Sequence, residues 1–63
     1  MGFKSARIKS GLTVEEAAKR LGYSDHTSIV GWESGKWMPR ASKLVEIASL
    51  YGCTVDELLK ESD

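Results

Sequence analysis

Sixty-three residues, 41% hydrophobic and 29% charged, describe one ordinary globular domain, with a core too small to shape a deep pocket for a large substrate. The longest unbroken apolar stretches run two residues, as at Leu58-Leu59, which excludes a membrane span and a signal-peptide core. Nine basic and nine acidic side chains cancel overall but not locally: residues 1–43 carry eight basic against four acidic groups, and residues 44–63 carry one against five. The front of the chain can therefore orient on a polyanion that the net charge would not attract. The single Cys53 excludes an internal disulfide and a zinc site built on cysteine alone, which fits a reducing cytoplasm.

Glycines punctuate the chain at helix-length intervals. Gly11, Gly22, Gly35 and Gly52 each follow a stretch of helical periodicity, where a left-handed residue ends a helix. The first stretch, near 2–10, offers Ile8 as its inward residue, with Phe3 or Ala6 nearby. The second, near 14–21, opens on Thr13-Val14-Glu15-Glu16, a hydroxyl cap answered by a carboxylate one turn on, and turns Val14, Ala17, Ala18 and Leu21 inward. Ser24 and Asp25 offer cap oxygens before a third helix near 26–34, whose apolar face is Ile29 and Trp32. Pro39 suits the start of a fourth near 41–50, with Leu44, Ile47, Ala48 and Tyr51 inward. A second capping box, Thr54-Val55-Asp56-Glu57, starts a fifth near 55–61, closed by Val55, Leu58 and Leu59. No stretch alternates as a strand does, and no helix is long enough to persist alone. The sequence predicts a compact all-α domain over 1–63, held by tertiary packing.

The second and third helices meet a joint set of spatial demands. Ala18 is small where two helices must cross closely, Gly22 lies in the tight turn between them, and Ile29 and Trp32 lay the third helix on the second. Two helices so joined form a helix-turn-helix, which presents its second helix to the DNA major groove. His26, Thr27 and Ser28 crowd the end of that helix that meets base edges. Val30, on the outward side, suits a thymine methyl or packing against the domain.

From Ala6 to Leu59 the chain resembles the Cro and phage-repressor (XRE-type) helix-turn-helix family. The resemblance runs through Arg7, Gly11-Leu12-Thr13, Glu16-Ala17-Ala18, Leu21-Gly22-Tyr23-Ser24, Ile29, Trp32-Glu33-x-Gly35, Pro39, Leu44, Ile47-Ala48 and Val55-Asp56-Glu57-Leu58-Leu59. It implies a five-helix, lambda-repressor-like fold and a two-fold dimer on a palindromic operator in double-stranded DNA. It also implies a partly buried Arg7–Glu33 salt bridge that turns Arg7 toward a phosphate. The end of the fourth helix and the fifth would form the dimer contact, which marks Tyr51 and Leu59.

Three positions depart from the family pattern. Val14 stands where Gln commonly contacts DNA, leaving Thr13 or a neighbouring backbone N–H to substitute. Gly22 and Trp32 lie one residue further apart than is common, which lengthens the turn around Ser24 and Asp25. Gly31 occupies a place where a longer polar side chain often reads a base, so it is expected to offer only backbone to the groove.

Lys9, Lys36, Arg40 and Lys43 are candidates for phosphate contacts: Lys36 in the loop after the third helix, Arg40 and Lys43 at the start of the fourth. Trp37 and Met38 are large and apolar for a loop, and either cap the core or form an exposed patch for a partner. His26 has no second His or Cys at helical spacing, and no nucleophile–base set appears, so neither metal, cofactor nor catalysis is expected. The first reading is a bacterial or phage-encoded repressor or autoregulator. The second is a protein-interaction module of the same fold, antitoxin-like or a regulator's partner; the pI of about 6.6, Val14 and Gly31 favour it.

Overall fold

The computed structural model describes residues 2–60 and holds five α-helices among them: α1 Phe3–Lys9, α2 Val14–Arg20, α3 Thr27–Ser34, α4 Ala41–Tyr51 and α5 Val55–Leu59. Each begins within about one residue of its predicted start. The last ends at Leu59, because Lys60 turns to extended backbone with ψ 131°. Position 61, its predicted end, lies outside the described residues. No helix among the described residues is long and apolar enough to cross a membrane.

Both capping boxes close. Thr13 Oγ1 accepts from the Glu16 N–H at 3.1 Å while Glu16 Oε1 accepts from the Thr13 N–H at 2.9 Å. Thr54 and Glu57 repeat the pair at 3.1 and 2.8 Å. These bonds, chiefly the one from the threonine N–H, hold both glutamate carboxyls below their ordinary range. At the other end of α3, Gly35 adopts φ +80°, a left-handed turn that a side chain would strain. That turn lets the Gly35 N–H donate to Trp32 O at 3.3 Å and the Lys36 N–H donate to Gly31 O at 2.9 Å. The same two-bond closure ends α1, α2 and α4.

Ile29, Ile47 and Leu58 form the fully buried centre, one each from α3, α4 and α5. Ala17 and Ala18, also buried, present no bulk where α2 meets α3. Trp32 joins three elements: its ring lies 6.2 Å from that of Phe3, tilted 41°, and 5.7 Å from that of Tyr23, edge-on at 71°. Two core expectations are corrected. Ile8 is 57% exposed, because Phe3, Ala6 and Arg7 take the inward register of α1, where Arg7 meets Glu33. Leu59 is also exposed, since a five-residue helix that buries Leu58 and half-buries Val55 turns its neighbour outward.

Candidate nucleic-acid interface

Helix α3 is anchored on one side and largely exposed on the other. Ile29 and Trp32, three residues apart, point into the core, while Thr27, Val30 and Ser34 share the outward face. The predicted cap comes from Asp25, whose Oδ1 accepts from the Thr27 N–H at 3.0 Å; that bond holds the Asp25 carboxyl below its ordinary range. His26 lies just before the first helical residue, and its Nδ1 sits 3.4 Å from Glu15 Oε2 on α2. His26, Thr27 and Val30 are exposed and Ser28 is half-buried. A set of donors, acceptors and one apolar group therefore projects from one rigid face, the chemistry that base edges in a major groove require.

Gly31 is corrected. It does not offer its backbone to a groove, because it is buried beneath the Trp37 indole, and an added methyl would fall on ring atoms Cε3 and Cζ3. The ring itself is 46% exposed. It lines a shallow groove of about 210 Å³ along the outward face of α3, shared with His26, Thr27, Val30, Ser34 and Lys36. Trp37 thus lies over α3 rather than capping the core, and Met38 is more exposed still.

The basic candidates separate by what already holds them. Arg7 Nε and Nη2 donate to Glu33 Oε2 and Oε1 at 2.6 and 3.3 Å, and Nη1 donates to Leu12 O at 2.8 Å. The predicted, partly buried salt bridge is present, with the hydrogen bond to Glu33 raising the Arg7 pKa above its usual value. These bonds use three of the five guanidinium N–H donors and hold the side chain against the fold, where it is 10% exposed. Lys43 Nζ donates to Leu21 O at 3.4 Å and to Glu46 Oε1 at 3.2 Å, and lies 5.1 Å above the Tyr23 ring. It fastens the end of α2 to α4 instead of reaching outward. Lys9, at the end of α1, is exposed. Thr13 spends its N–H and one lone pair in its capping box and keeps its O–H donor. Lys36 and Arg40 are exposed too, one on each side of the loop that carries Trp37.

Of the two dimer candidates, Tyr51 is corrected: it is buried in its own chain's core. Its hydroxyl has no hydrogen-bond partner among the described residues, and burial, with Glu33 adding, pushes its pKa up to about 12. Leu59 is exposed and lines a second, larger groove with Phe3, Trp37, Met38 and Leu58. Sequence reasoning missed the placement of Trp37 over α3. The signal was available in a glycine inside a helix, a position that loses stability unless something needs the space.

Residues 3–58 match a family model described as helix-turn-helix. A curated relative, an HTH-type transcriptional activator, BcrR, from Enterococcus faecalis, is 42% identical over 53 residues. That alignment covers 84% of this chain and 26% of the relative, so the chain spans about a quarter of the relative's length. No solved structure gives a significant match.

Proposed function

The chain belongs to the helix-turn-helix family, and on that footing we propose that it is a sequence-specific, double-stranded-DNA-binding transcription regulator. The observation that carries this reading is α3 itself: Ile29 and Trp32 fix its inner face, and the rest of the fold leaves His26, Thr27 and Val30 uncovered. His26, Thr27 and Val30 read base edges, with half-buried Ser28 in support; Lys36 and Arg40 meet phosphates, and Thr13 adds a hydroxyl donor. The regulator acts as a homodimer on a palindromic site, setting two copies of α3 about 34–36 Å apart. The exposed Leu59 and Met38 supply apolar surface for that contact. Binding over a promoter makes it a repressor or autoregulator.

Fluorescence anisotropy on duplex DNA across a salt series tests the electrostatic half of this reading. Lys36→Ala and Arg40→Ala are each expected to flatten log K against log[salt] by about 0.9. Lys43→Ala leaves the slope unchanged, because its ammonium is committed to Leu21 O and Glu46. Equal slopes for wild type, Lys36→Ala and Arg40→Ala would overturn the phosphate assignments. The second reading, a partner-binding module, is favoured by the groove of Phe3, Trp37, Met38, Leu58 and Leu59 and by the cations already committed inside the fold. It gains if wild type shows no specific shift at micromolar protein.

A further inference from the structure

We propose that Trp37 is a DNA-contact residue, supplying from the loop after α3 the groove-facing side chain that position 31 lacks; this rests on the duplex-DNA reading above. Residues 27 and 31 are one helical turn apart, so the space over Gly31 continues the surface that Thr27 begins. The helix gives up a side chain there, and the indole takes that volume: a methyl on Gly31 would overlap Cε3 and Cζ3. The backbone fixes the arrangement, because Lys36 and Trp37 both donate their N–H groups to Gly31 O, at 2.9 and 3.2 Å.

A ring that served only to seal the core would be covered. Trp37 is 46% exposed and lines two grooves, one with His26, Thr27, Val30, Ser34 and Lys36 along α3 and a larger one with Phe3, Met38 and Leu59. Only the first carries Thr27 and Val30 of the outward face of α3. Lys36 Nζ stands 4.9 Å above the ring, so a cation and an apolar edge are offered side by side. Duplex DNA presents the complement, a phosphate beside apolar C–H surface. That surface is a thymine 5-methyl in the groove or a deoxyribose at its rim. The occupant of this groove is the nucleic acid, and the indole is its apolar contact.

Wild type is first used to select a site from random duplexes; selection of no site sinks the DNA-binding reading and this proposal together. On a selected site, Trp37→Ala is expected to weaken binding about tenfold and Trp37→Phe to recover most of it. Thermal melting of each variant separates loss of contact from loss of fold. A Trp32→Phe variant leaves Trp37 the sole indole of the two, and its emission is expected to quench as the site saturates. Thymine-to-uracil replacement, one position at a time, identifies the source. A single uracil that weakens wild type but not Trp37→Ala assigns the methyl, and a loss in Trp37→Ala that no uracil reproduces assigns the sugar. Wild-type selection with Trp37→Ala binding within about twofold and unchanged Trp37 emission overturns the proposal alone. Trp37→Ala that instead abolishes self-association, with DNA affinity intact, makes the ring a contact to a second copy and also overturns it.

Discussion

Arg7→Ala is expected to destabilise the fold by about 3–5 kcal/mol, because it strands the Glu33 carboxylate where its side chain is only 11% exposed. An exposed ion pair would be worth ~0–1 kcal/mol, so burial decides the magnitude. Two parallel bonds join the guanidinium to the carboxylate and a third reaches Leu12 O, which ties α1 to the end of α3 and to the turn before α2. A domain of this length holds roughly 3–9 kcal/mol in all, so losing the bridge consumes much of the total. Denaturant unfolding followed by circular dichroism measures the loss, and a change below about 0.5 kcal/mol would contradict the buried pair. Arg7→Met combined with Glu33→Leu is expected to recover most of it, since no charge is then left alone. About 1 kcal/mol stays lost, because Leu12 O no longer has its donor.

Ile29→Ala is expected to cost about 2–5 kcal/mol, the sum of lost transfer energy and the cavity left among its neighbours. Ile29 is fully buried on the inner face of α3, and the better helix propensity of alanine offsets only a few tenths of a kcal/mol. A helix of eight residues has no independent stability, so releasing this anchor also releases the surface it presents. Val30→Ala, one residue along on the outward face, is expected to change stability by less than about 0.5 kcal/mol. Thermal melts of the two variants make the comparison, and equal losses would contradict the assignment of inner and outer faces.

The helices were legible because local chemistry marks their ends. Thr13 with Glu16, Thr54 with Glu57, and the glycines after α1 to α4 act within a few residues, and the structure bears all of them out. Side-chain assignments that depend on partners elsewhere were less legible. Ile8 looked like the inward residue of α1 by hydrophobicity, yet Arg7 takes that register because Glu33, 26 positions away, completes it. Tyr51 fitted both the core and a dimer contact by pattern, and only packing chose the core. Lys43 looked free in sequence, since nothing local shows that Leu21 O lies within its reach. Gly31 misled in the same way: its missing side chain read as weak contact with DNA, while the space belongs to Trp37.

The outward face of α3 is tested most directly by selecting binding sites from random duplexes with wild type and with Thr27→Ala. Thr27 is exposed and begins the helix, so its substitution is expected to leave the fold intact and to erase base preference at one position of each half-site. Two half-sites with preserved preference elsewhere would place α3 in the groove. Enrichment of no sequence by folded wild type, or the same site chosen by Thr27→Ala with every preference unchanged, would contradict it.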